Sequence, residues 1–104
     1  MTHRYTFSMV LEFAGEAIWW RGPAPFVFVR VPEAEAGDIK AVSNRVTYGW
    51  GCIPATVGIG RTSYTTSLFP KDGGYLVPIK TVVQKAEAVK VGDIVAIRLE
   101  IAIG

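Results

Sequence analysis

Apolar and polar positions alternate strictly from Tyr5 to Phe13, with Tyr5, Phe7, Met9, Leu11 and Phe13 on one face and Thr6, Ser8 and Glu12 on the other. A period of two predicts a half-buried strand, with Gly15 ending it. Gly22-Pro23-Ala24-Pro25 reads as a stiff connection after Trp19 and Trp20. Phe26 to Val31 is β-branched and aromatic almost throughout, a strand covered on both faces, and Pro32 stops it by removing a ladder donor. Glu33 to Val42 predicts a short helix, its acidic first turn matched to the helix dipole and Gly37 weakening it. Arg45 to Trp50, Ala55 to Gly60 and Thr62 to Phe69 read as strands, with Pro54 marking a bend before the second. Gly60-Arg61 predicts a two-residue hairpin turn.

Asp72-Gly73-Gly74 is a second tight turn, leading into a strand from Tyr75 to Ile79. Lys80 to Ala88 predicts a short helix, with Val82, Val83 and Ala86 at helical spacing. Val91-Gly92-Asp93 turns the chain into a last strand, Ile94 to Ile103, where Val95, Ile97, Leu99 and Ile101 alternate with Ala96, Arg98 and Glu100. These elements define an all-β class: a small closed barrel of six to seven strands with one or two short helices. Closure hides edges that such apolar strands would otherwise offer to other chains.

Composition narrows the picture. With 104 residues the chain is expected to form a single β-barrel domain over 1–104. Half of it is hydrophobic and 19% is charged, which excludes a disordered chain. A net charge of +2 neither requires nor forbids an anionic partner. Cys52 is the single cysteine, so an internal disulfide is excluded and a reducing, cytoplasmic setting is expected. Glu12 and Glu16 break the N-terminal apolar run, so no secretory signal is expected there, and no uncharged apolar stretch reaches 18 residues.

Candidate chemistry is sparse. His3 is the one histidine, so Cys52 has no sequence-adjacent base and reads as a small apolar residue. No metal site and no cofactor is expected, because the carboxylates are scattered without metal-loop spacing. Asp72 and Asp93 read as turn residues. Ser67 lies outside any Gly-x-Ser-x-Gly elbow and reads as a hydrogen-bonding strand-end residue. Lys80 follows Pro78-Ile79 at a strand-to-helix junction, where a lysine either covers apolar surface with its stem or meets an anion. Trp19 and Trp20 are adjacent and point to opposite faces, so one is expected in the core and the other near the surface. Trp50 lies between two glycines and reads either as a barrel core residue beside thin backbone or as a ring that a ligand or another chain can approach. Arg61, Lys71, Lys80, Lys85 and Lys90, with Tyr64 or Tyr75 beside them, form either a solvated surface or a basic face for nucleic acid.

Several runs carry a resemblance: Phe26-Val27-Phe28-Val29-Arg30-Val31-Pro32, Gly49-Trp50-Gly51-Cys52-Ile53-Pro54, Thr66 to Tyr75, Val77-Pro78-Ile79-Lys80 and Val91-Gly92-Asp93. On these the chain resembles the bacterial family called domain of unknown function 1905. The resemblance implies a double-split β-barrel and an unsettled biochemical role. Gln84-Lys85 stands where that family tends to show Arg-Lys. From Val77 to Leu99 the order strand, proline, helix, Gly-Asp turn and strand also looks like the swapped-hairpin DNA-binding regulators and antitoxins.

The reading that follows is a binding module for a small ligand or protein partner, leaning away from an enzyme, with Trp20, Trp50, Ser67 and Lys80 as its site. The alternative is a DNA-binding dimer contacting anions through Lys71, Lys80 and Lys85. Either a monomer or a homodimer fits, and no membrane partner is expected.

Overall fold

A computed structural model describes residues 7–21, 26–46 and 51–103. Six strands form a closed antiparallel barrel: β1 (Phe7–Trp20), β2 (Phe26–Arg30), β3 (Ile53–Ile59), β4 (Thr62–Lys71), β5 (Gly74–Ile79) and β6 (Ile94–Ile103). Around the barrel the order is β1-β2-β5-β4-β3-β6, with β6 closing back on β1. Two helices interrupt the strands, α1 (Glu33–Val46) and α2 (Thr81–Ala86). No helix among the described residues is long and apolar enough to cross a membrane.

The core follows from alternation. Val27 and Val29 on β2, Val57 on β3, Leu68 on β4, Val77 on β5 and the run Val95, Ile97, Leu99 and Ile101 on β6 all point inward and are buried. Each such side chain contributes about 1.5–3 kcal/mol on leaving water. Ala36 and Ile39 of α1 join this core, as does Val83 of α2, while Val82 and Ala86 face solvent. Of the three positions at helical spacing, a turn and a half of helix buries only one.

The first strand runs on through Gly15 to Trp20, because Gly15 is a crossing point rather than an end. Up to Glu16, β1 pairs with β6; from Ala17 onward it pairs with β2, Ala17 lying opposite Val29. At Gly15 the β2 strand comes so close that an added Cβ would sit 2.6 Å from Val29 Cγ1. Tyr5 lies outside the described residues.

The first helix also outruns its expected end at Val42, and residues 45–46, expected in a strand, belong to it. Ala36, Ile39, Val42 and Val46 recur at helical spacing, and Arg45 sits in the last turn, where the helix dipole favours a cation. The rest of the expected strand, 47–50, lies outside the described residues. The second helix is shorter than expected, with Lys80 as its extended N-cap residue.

Pro54 lies within β3 rather than at a bend before it. It faces Ser67 of β4, while β3 meets β6 only from Thr56 to Gly58, so the missing N–H falls on a stretch with a neighbour on one side. Pro70 on β4 and Pro78 on β5 sit in equally one-sided stretches. The turns match expectation: Gly60 alone carries the positive φ between β3 and β4, whereas Asp72 and Gly73 both carry it between β4 and β5.

Candidate functional site

The barrel carries a second apolar cluster on its outer face. Cross-strand partners share a face, and the registers Ile18–Phe28, Trp20–Phe26, Phe28–Pro78, Arg30–Leu76 and Leu76–Phe69 put these residues on the side away from the core. Phe28 and Leu76 are buried there yet stand apart from the main core. Trp20 lies 5.4 Å from Phe26 and 6.0 Å from Phe28, ring centre to ring centre, with Phe26 5.6 Å from Phe28 and 6.3 Å from Phe69. All four separations fall within the range of attractive aromatic pairs. Phe69 is nevertheless 40% exposed.

Between these rings opens a cavity of about 280 Å³ lined by Trp20, Phe26, Phe69, Pro70 and Lys71. One cation marks it. The Lys71 ammonium lies 4.4 Å from the Trp20 ring centre, over the indole face. The Lys71 backbone is anchored from behind, because the Arg30 guanidinium donates to the Lys71 carbonyl at 3.1 Å and to the Asp72 carbonyl at 3.0 Å. Gly74 completes the clamp, since a Cβ there would stand 2.7 Å from Arg30 Nη2. The Asp72-Gly73 turn, the arginine and the glycine thus hold Lys71 at the pocket rim.

Other residues singled out in the sequence are dispersed. Neither Trp19 nor Trp20 fills the core: Ala17 is the last core residue of β1, Trp20 joins the outer cluster and Trp19 is 49% exposed. Trp50 lies outside the described residues, though Gly51 beside it approaches the pocket residue Pro70. Ser67 is half-buried opposite Pro54 on β4 and does not line the aromatic cavity. The Lys80 ammonium lies 5.8 Å from the Tyr64 ring centre and does not line it either. Lys85 is exposed on the last turn of α2. Gln84 turns inward and donates to the Ile79 carbonyl at 2.7 Å, a structural bond that ties α2 to the end of β5.

Tyr64 donates its hydroxyl to the Pro78 carbonyl at 2.8 Å, and burial pushes its phenol well above the ordinary range. Tyr75, expected beside the basic surface, is buried in the core. Asp93 behaves as a turn residue, its carboxylate accepting from the Lys90 backbone N–H at 2.9 Å. Cys52 is half-buried. Among the described residues no three His, Cys, Asp or Glu side chains gather as a metal site would require.

A larger depression of about 450 Å³ lies on the opposite side, between Glu12, Arg61, Arg98 and Glu100. Glu12 faces Arg98 directly across β1 and β6, so charges of both signs offset one another there. That is the pattern of a solvated sheet face. The aromatic cavity differs: among the described residues its wall is apolar and its single cation has no carboxylate beside it.

Phe26, Phe69 and Pro70 were not among the residues the sequence marked. For Phe26 the signal was the alternation Phe26, Phe28, Arg30, which places aromatics on the face of β2 opposite the valines; Phe69 and Pro70 lie on β4 and carry no such signal.

Fold and site together define a small closed antiparallel barrel with an aromatic pocket on its outer surface. The model of the family described as Domain of unknown function (DUF1905) matches residues 13–99, and the chain belongs to that family. The matched span contains every residue of the pocket. No curated protein and no solved structure matches the chain.

Proposed function

We propose that this protein is a non-enzymatic binding module whose site is the outer aromatic pocket of Trp20, Phe26, Phe69, Pro70 and Lys71, acting in the cytoplasm. One observation carries the reading: apolar rings are held open to solvent around a cavity although the fold has a separate, closed core. Exposed aromatic area costs solubility, and a contiguous apolar patch is what a contact site requires. At about 280 Å³ the cavity lies just under the roughly 300–1,000 Å³ of drug-sized sites, which suits a compact ligand.

A DNA-binding dimer draws less support. Lys71 is turned onto Trp20 and Lys80 lies by Tyr64, one before the start of β5 and the other after its end. Charge neutralisation along a backbone calls for cations on one continuous surface.

The test is a titration of the isotope-labelled protein with one- and two-ring aromatic fragments, neutral and charged, followed by amide chemical shifts. The shifts are expected to converge on Trp20, Phe26, Phe69 and Lys71. Shifts confined to the groove near Arg61 and Arg98, or none with any fragment, would refute the pocket.

A further inference from the structure

We infer that the pocket selects small aromatic anions: a flat one- or two-ring body bearing a single negative group such as a carboxylate, sulfonate or phosphate ester. This assignment rests on the pocket being the binding site and specifies which ligands enter it.

Three features of the site give the class. Its wall is apolar and aromatic on three sides, from Trp20, Phe26 and Phe69, so the body of the ligand is a ring that can stack or meet an edge. Among the described residues the single charged group lining it is the Lys71 ammonium, and no described carboxylate lines the cavity to oppose it. Finally, that ammonium already rests over the Trp20 indole at 4.4 Å. The face an incoming cation would use is taken by the chain's own cation, and a second positive charge beside it would be repelled. An anion meets the opposite situation.

The hydrogen-bonding capacity of Lys71 supports the same assignment. An ammonium has three donors, and the face of an indole ring satisfies none of them in the way an oxygen does. Carboxylate or phosphate oxygens supply those acceptors while the ring displaces water from Phe26 and Phe69. The Lys71 backbone is also held in place before any ligand arrives: its carbonyl is clamped by Arg30 and it pairs with Gly74, while the side chain itself is exposed. Less ordering is then lost on binding.

Isothermal titration with three ligands on one scaffold tests the assignment: 2-naphthoate, 2-naphthamide and 2-naphthyltrimethylammonium. The expected order places the carboxylate first, about five- to tenfold tighter than the isosteric amide, as one partly solvated charged hydrogen bond would give. The ammonium ligand is expected to bind weakest. Lys71→Met should bring the carboxylate down to the level of the amide, and Lys71→Arg should retain the difference. Melting curves of both variants confirm that they are folded. Equal binding of carboxylate and amide, or a preference for the cation, overturns the anion assignment and leaves the pocket standing. Absence of all three from the wild-type protein overturns the pocket itself.

Discussion

Gly15 and Gly37 undergo the same chemical change, Gly→Ala, and the structure gives it opposite signs. At Gly15 the new Cβ would lie 2.6 Å from Val29 Cγ1 and 3.4 Å from the Arg30 carbonyl oxygen. Val29 is fully buried and fixed in register against Ala17 and Val77, so its methyl has nowhere to swing. Overpacking of this kind costs about 1–3 kcal/mol, and the entropy gained by replacing a strand glycine returns roughly 0.5–1 kcal/mol. The net expectation is a loss of about 1 kcal/mol. At Gly37 nothing lies within 4 Å of the added Cβ, and the residue sits exposed inside α1. There the substitution is expected to stabilise by about 0.5–1 kcal/mol. Urea unfolding followed by tryptophan fluorescence reads both, and each kcal/mol moves the thermal midpoint roughly 4–8 °C in a domain near this size. Adding Val29→Ala to Gly15→Ala supplies the control, since the second change should cost less in that background than alone. Stabilisation by Gly15→Ala, or additive costs with Val29→Ala, would refute the close crossing of β1 over β2.

Three further outcomes are expected. Ala88 holds a positive φ of 53° just past α2, where its N–H bonds the Lys85 carbonyl and that of Val89 bonds the Gln84 carbonyl; this is the helix end that favours glycine, so Ala88→Gly should stabilise the fold by about 0.5–1 kcal/mol, read as a raised urea midpoint. Tyr64→Phe removes the bond to the Pro78 carbonyl and should cost about 0.5–1.5 kcal/mol at neutral pH. Because burial raises the Tyr64 phenol, the unfolded chain gives up that proton first, so stability falls with rising pH above the ordinary value near 10; the alkaline limb of a stability–pH profile should be shallower in Tyr64→Phe than in the wild type. Arg30→Met keeps the stem but drops both carbonyl bonds, and should broaden the amide signals of Lys71 to Gly74 while leaving β6 unchanged.

Much of the barrel was legible because alternation is a direct record of which face is wet. Residues of β6 from Ile94 to Ile103 fell where expected, and the turns at Gly60-Arg61 and Asp72-Gly73 declared themselves through residues that tolerate positive φ. What misled was punctuation. Gly15 and Pro54 look like stops, yet each sits inside a strand, one to admit a crossing neighbour and the other on a one-sided stretch. Neither circumstance is local, so no short window of sequence contains it. Likewise Arg45-Val46 reads as the start of a strand until Ile39 and Ala36 are known to be buried three and six residues before Val42. Of the site, Trp20 and Lys71 were visible singly. Their meeting depends on β1, β2, β5 and β4 curling one outer face around Phe26 and Phe69, which sequence neighbours do not reveal.

The indole N–H signals offer the most direct test, since Trp19 and Trp20 are neighbours on opposite faces of β1. On titration with 2-naphthoate, the Trp20 signal, assigned by its disappearance in Trp20→Phe, should move while that of Trp19 stays in place. Movement of Trp19 alone, or an unmoved Trp20 at saturating ligand, would contradict a binding site on the outer aromatic face.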